Sequence, residues 1–441
     1  MALAAALQWL AVARVPLTYD EAWNFQNLAV LGARHVITHY PLPNNHVLFT
    51  ALHALLLPAG QVARHPMLLR ALNGAVVLGL LLLLCGVFSS LLGLSRWRTI
   101  LGVVASALCA PVFTLYLLVA RGYLLGAVLL LAALVLCAGR RGLAWAGALA
   151  ALAAWSVPTF AYVVPGAFLV TLGLRSPAPR RLRTLLIDAA TLGGTYAAVV
   201  IACYLPIWRE VLKQRSGWTT SPPLGAFTRG VLAQATTLGW AWAGGALLLS
   251  LCARLAWQRR RDGAPDAASR LIGILLAGCA SYVVTSEVTN ALGLAKIPFE
   301  RNGLFIPLFL MVAVVACLSG LPKIWDAVLC AVLLSSAGSG AWTLGRAFGP
   351  SGDPLGYPYY ATLSPSPVDR ALPELSAAEQ VICADFVQPA CALYAAHFAS
   401  LRLVVDLDAA PGGCSAGGTH LPSPKLRVVY LRDGALHNAC F

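Results

Sequence analysis

Long apolar runs separated by short basic clusters dominate residues 1–346. A bilayer span needs about 20 mostly apolar residues. Eleven runs approach that length: Met1–Val15, Met67–Leu94, Thr99–Leu118, Tyr123–Ala138, Leu143–Trp155, Phe160–Leu174, Leu185–Ile207, Ala226–Trp257, Leu271–Val288, Leu304–Leu318 and Ile324–Leu344. Met1–Val15 reads as a span and not a signal peptide, because the basic segment that opens a signal is missing. Alternate loops are basic: Arg96 and Arg98, Arg140 and Arg141, Arg175 to Arg183, Arg259 to Arg270, then Lys323. The positive-inside rule puts those loops in the cytoplasm. The other loops, beginning with residues 16–66, then face outward, with the N-terminus inside and the C-terminus outside.

The pattern changes near residue 347. Gly349-Pro350-Ser351-Gly352-Asp353-Pro354 opens a Pro/Gly/Ser-rich linker over 347–367. Beyond it, in 368–441, Val381–Ala384, Leu401–Leu407 and Arg427–Leu431 predict strands, and Ala390–Ala399 a helix between two of them. The expected architecture is an all-α polytopic membrane protein carrying a small extracytoplasmic α/β domain. That segment holds Cys383, Cys391, Cys414 and Cys440. Four cysteines outside the membrane predict two disulfides, with three pairings open.

Composition narrows the class. Only 11% of residues are charged and mean hydropathy is +0.76, against roughly 25% charged in a soluble domain. This excludes an ordinary cytosolic enzyme and a disordered chain. The net charge of +14 would suggest nucleic acid in a soluble protein. Here the basic residues sit between apolar runs, so membrane topology accounts for them and no nucleic-acid partner is expected. No Gly-rich phosphate loop or dinucleotide motif is present. The Ala/Leu/Arg-rich composition and the lack of an Asn-x-Ser/Thr sequon are compatible with a bacterial inner membrane. Of nine acids in residues 1–346, Asp20, Glu21, Glu210, Glu287 and Glu300 lie at or near the outer face. Acids near a membrane are functional candidates by default.

The first outer loop concentrates the chemistry. Thr18-Tyr19-Asp20-Glu21 leads into a short helix to about Gly32, with Ala22, Phe25, Leu28 and Ala29 on one face. That face predicts a helix lying on the membrane surface. A polar knot follows, Pro43-Asn44-Asn45-His46. A second surface helix then runs to about Leu57, with His46, Thr50 and His53 along its polar side. Asp20 also fits a helix N-cap. A cap accounts for one acid, but not for the acid pair together with the Asn-Asn-His knot.

Tyr19-Asp20-Glu21-Ala22, with Pro43-Asn44-Asn45-His46-Val47-Leu48-Phe49 some twenty residues on, resembles the first outer loop of GT-C glycosyltransferases. The resemblance is to the group related to protein O-mannosyltransferases and the lipid A aminoarabinose transferase (glycosyltransferase family 39 type). Ala120-Arg121-Gly122-Tyr123, Val157-Pro158-Thr159-Phe160 and Phe299-Glu300-Arg301-Asn302 add to it. It covers about residues 15–320. It implies transfer of a sugar from a polyprenyl-phosphate donor to an acceptor at the outer face, as in assembly of a cell-envelope glycan. By the same resemblance Asp20 is the general base and Glu21 orients it or binds acceptor.

The chemistry fits those residue types. Sugar transfer passes an oxocarbenium-like centre, the acceptor hydroxyl needs a base within reach, and the leaving phosphate suits the arginine fork. Arg121, Arg301 and Lys296 are the phosphate candidates, each of which also fits simple snorkelling to the interface. Asn44, Asn45, His46, Tyr123 and Glu300 complete the expected substrate-binding set. Some enzymes of this kind use a divalent metal, and no residue spacing here specifies such a site. Two other readings stay open. A transporter or flippase of a lipid-linked sugar calls for repeated halves and polar groups at mid-membrane, which the sequence does not show. A non-catalytic membrane scaffold requires Asp20, Arg121 and Arg301 to lie scattered.

Overall fold

The structure, a computed structural model, describes residues 18–41, 46–57, 68–139, 142–175, 182–214, 266–293 and 303–319, the strand segments 380–384, 401–404, 426–432 and 435–440, and a few isolated positions. Most of the described residues are helical. Among the described residues three helical stretches are long and apolar enough to cross a bilayer, Leu69–Leu91, Leu182–Tyr204 and Ala267–Ala291. This is consistent with an all-α membrane protein.

The segment expected to form the first outer loop contains three short helices, α1 (Tyr19–Asn27), α2 (Ala33–Thr38) and α3 (Val47–Leu56). Then come α4 (Leu69–Gly86), α5 (Arg96–Ala107), α6 (Pro111–Leu118), α7 (Gly122–Ala138), α8 (Leu143–Ser156) and α9 (Val164–Arg175). Next are α10 (Leu182–Ala189), α11 (Thr195–Tyr204), α12 (Trp208–Gln214), α13 (Ala267–Ala291) and α14 (Phe305–Leu318). The runs Met1–Val15, Ala226–Trp257 and Ile324–Leu344 lie almost wholly outside the described residues.

One expected span is not a single helix. Thr99–Leu118 divides into α5 and α6, with Ala110 extended at ψ 150°. Pro111 is the cause. Its ring excludes the preceding residue from the helical region, while its own missing N–H costs nothing at a helix start.

The buried core of the bundle combines large apolar side chains with close contacts at small residues. α14 is buried along its whole length and α7 along most of it, the two meeting with α13 around Phe160, Tyr282 and Phe305. α8 is rich in Ala and Gly and packs on α7 and α11. A Cβ at Gly147 would fall 2.5 Å from the Leu192 carbonyl oxygen. In lipid no hydrophobic force drives helices together, so close backbone approach of this kind does the work. Large apolar side chains point out of the bundle, among them Leu82, Trp145, Leu169 and Ile201. Hydrocarbon accommodates such a surface, whereas water does not.

Near the C-terminus β1 (Gln380–Ala384), β2 (Leu401–Val404), β3 (Leu426–Arg432) and β4 (Ala435–Cys440) form one sheet, in the order β2-β1-β3-β4. β1 pairs parallel with β2 and β3, and β4 pairs antiparallel with β3. Cys383 and Cys391 form a disulfide with both residues buried. Cys414 and most of the expected helix Ala390–Ala399 lie outside the described residues.

Candidate functional site

Thr18, and not Asp20, caps α1. Its hydroxyl accepts from the Glu21 N–H at 3.3 Å, and the Glu21 carboxylate accepts from the Thr18 N–H at 2.8 Å. This reciprocal capping box satisfies two backbone donors that a helix start leaves open. It also fixes the rotation of α1. Glu21, Phe25 and Leu28 turn inward and are buried, while Asp20 stays about a quarter exposed.

Glu21 enters a fully buried network. Arg70, in the first turn of α4, donates through Nε to Oε1 at 3.0 Å and through Nη2 to Oε2 at 2.9 Å. The N–H of Ala120 donates to Oε1 at 2.7 Å. Neither side chain of the ion pair is exposed. Burial alone would raise the Glu21 carboxyl. The Arg70 charge and fork, with the N–H groups of Thr18 and Ala120, outweigh it and hold the group below its ordinary value. His53 stands beside this network, its Nε2 bonded to the Leu69 carbonyl at 2.7 Å. Burial pushes the imidazole down to about 4, so it is neutral. Glu21 is therefore a structural anchor. One acid ties α1 to α4 and to the turn before α7.

Asp20 meets Arg121 across 101 residues of sequence. Arg121 Nη1 donates to the Asp20 carbonyl at 2.9 Å, and Nη2 stands 3.3 Å from Oδ2 of its carboxylate. Arg121 is 2% exposed. Its neighbour Ala120 is held by Glu21, so adjacent acids grip adjacent residues.

His46 closes the other side. It precedes α3, its Nδ1 bonds the Ser156 carbonyl at 2.9 Å, and its ring meets Tyr123 edge-on at 4.3 Å. Ser156 Oγ donates to the Gly122 carbonyl at 2.8 Å. A Cβ at Gly122 would lie 2.5 Å from the Cβ of His46. Arg121-Gly122-Tyr123 is thus packed directly against His46, and only a glycine admits that approach.

The expected polar side of α3 is turned the other way. His46, Thr50 and His53 are buried, and the exposed residues are Leu55 and Leu56. The reason is that His46 and His53 find carbonyl partners inside, at Ser156 and Leu69, which offsets the cost of burying them.

Beside α1 opens a cleft of about 460 Å³. Trp23 and Asn27 of α1 line it with His35 and His39 from the α2 segment and Glu210 and Lys213 of α12. His35 and His39 stack with centroids 4.0 Å apart. The Glu210 carboxylate accepts from the Tyr40 N–H. At the far end of α13, the Glu287 carboxylate accepts from the Gly225 N–H at 2.9 Å.

Asp20, Glu21, His46, Arg121 and Tyr123 therefore gather around the start of α7. Asn44, Asn45, Lys296, Glu300 and Arg301 lie outside the described residues. Arg70 is the residue that sequence reasoning passed over. Its signal was an ionisable side chain inside an apolar run, which marks function or pairing. Among the described residues no three His, Cys, Asp or Glu side chains converge as a metal site requires. No protein-family profile, curated protein or solved structure matches the chain.

Proposed function

We propose that the chain is a membrane glycosyltransferase that moves a sugar from a polyprenyl-phosphate donor to an acceptor hydroxyl at the extracytoplasmic face. The observation that carries this reading is the meeting of Asp20 with Arg121. A carboxylate about a quarter exposed is held by a buried arginine at the start of α7, beside His46. The scaffold reading called for Asp20 and Arg121 to lie scattered, and their convergence favours a site.

Asp20 is the general base. The acceptor oxygen attacks the anomeric carbon and its proton passes to the Asp20 carboxylate. The bond from the anomeric carbon to the phosphate oxygen breaks, and polyprenyl phosphate leaves with the electron pair. Arg121 orients Asp20 and keeps a positive charge beside the reacting centre. The phosphate falls to Arg121 together with Lys296 and Arg301. The Cys383–Cys391 disulfide supports an extracytoplasmic C-terminal segment, since such bonds persist in oxidising compartments.

Native mass spectrometry of the purified protein tests the reading. A bound polyprenyl-phospho-sugar is expected, and its mass names the sugar. Asp20→Asn should retain that lipid and lower transfer by about 10²–10⁴-fold. Bulk phospholipid alone, even after addition of polyprenyl-phospho-sugar, would return the chain to the scaffold reading.

A further inference from the structure

We propose that the cleft between α1, α2 and α12 is the acceptor subsite, and that it takes a neutral sugar ring seated on the indole of Trp23. This rests on the transferase reading and adds the chemical class of its acceptor.

The position follows from helix geometry. Asp20, Trp23 and Asn27 stand at i, i+3 and i+7 and share one face of α1. The rise from residue 20 to residue 23 is about 4.5 Å along the axis. A pyranose or furanose ring lying on Trp23 therefore brings a ring hydroxyl within reach of the Asp20 carboxylate. Trp23 is half-buried. It packs against the cluster of Leu28, Val36, Val47 and Ile207, and it also lines the cleft. A fixed aromatic face of this kind meets the C–H face of a sugar, because its negative quadrupole attracts the slightly positive hydrogens.

The rest of the lining suits hydroxyls. Asn27, His35 and His39 bring groups that donate and accept, Glu210 accepts and Lys213 donates. Hydroxyls do both, so a mixed lining satisfies them. The one full positive and one full negative charge oppose each other, and no single-sign field draws in a phosphate or a uronate. The volume of about 460 Å³ lies within the range of small-molecule sites.

The test uses the full-length protein in lipid nanodiscs, with no polyprenyl donor present. Isothermal titration is run with the methyl glycosides of mannose, glucose, galactose and arabinofuranose, and with galacturonate and inorganic phosphate. At least one neutral glycoside is expected to bind. Trp23→Ala should weaken that binding about tenfold. Asn27→Ala, whose side chain among the described residues bonds within its own helix at the Trp23 carbonyl, should weaken it about three- to tenfold and serves if Trp23→Ala fails to fold. The proposal is overturned if no neutral glycoside binds. It is also overturned if binding ignores both substitutions, or if galacturonate or phosphate binds more tightly through the same residues. Donor loading seen by mass spectrometry without glycoside binding removes the cleft and leaves the transferase reading standing. Glycoside binding that depends on Trp23, without donor loading, does the reverse.

Discussion

The two faces of α1 carry consecutive acids with opposite fates. On the inner face Glu21 is buried, held by five hydrogen-bonding contacts of the capping box, Arg70 and Ala120. On the outer face Asp20 keeps solvent access and pairs with Arg121 at 3.3 Å, on the same helix face as Trp23 and Asn27, which line the cleft. The contrast teaches that the inner acid makes the outer one usable. Two adjacent carboxylates cannot both enter one site, because neighbouring residues on a helix point about 100° apart. The chain spends one as an anchor. That anchor then fixes, through Ala120, the backbone from which Arg121 reaches Asp20.

The sharpest way to break the inner face is Arg70→Met. It leaves Glu21 buried without its counter-charge, which costs about 3–5 kcal/mol. Thermal unfolding in detergent measures it. Arg70→Lys should recover only part of the loss, since an ammonium cannot form the two-pronged contact. Full stability in Arg70→Met would remove the anchor.

Acid should attack the same face. His53 in the folded state titrates near 4, below its ordinary 6.5. Between these values the unfolded chain binds more protons, so stability falls as pH drops from 6.5 to about 4, by on the order of 3 kcal/mol. Glu21 is also lowered from its ordinary 4.5. Its contribution is present above that value and disappears below it, as pH falls through the folded value. Unfolding midpoints measured from pH 7 to pH 4 should therefore decline for the native protein and stay flatter in His53→Gln. Equal slopes would place His53 outside the network.

Between the two faces stands Gly122. Gly122→Ala forces a Cβ into the His46 ring and should cost about 1–3 kcal/mol, with loss of transfer as Arg121 shifts. The smallest effect on stability belongs to the outer face. Asp20→Asn breaks a partly exposed pair and should change unfolding by less than about 1 kcal/mol, although it is the variant expected to stop transfer. A large loss of stability in Asp20→Asn would make Asp20 a second anchor and dissolve the contrast.

Much of the helical architecture is readable along the chain. The apolar runs foretold most of the long helices, because a lipid-facing helix must satisfy its own backbone and present apolar side chains. Thr18-x-x-Glu21 is a capping signature that local sequence already contains. Pro111 is likewise a visible break in an otherwise continuous run. Of the three short helices that follow Thr18, α1 and α3 were foreseen and α2 was not, and neither was the burial of the polar side of α3. Apolar periodicity says which residues share a face, and cannot say whether the polar side meets water or a buried carbonyl.

The sequence by itself pointed to a helical membrane protein, and it marked Asp20, His46, Arg121 and Tyr123 as residues to watch. Tertiary structure alone decided which acid stays open. Glu21 became the anchor because Arg70 and the Ala120 N–H lie where α1 packs, 49 and 99 residues away. Contacts at that separation depend on how helices dock in three dimensions, and no local pattern along a chain encodes them.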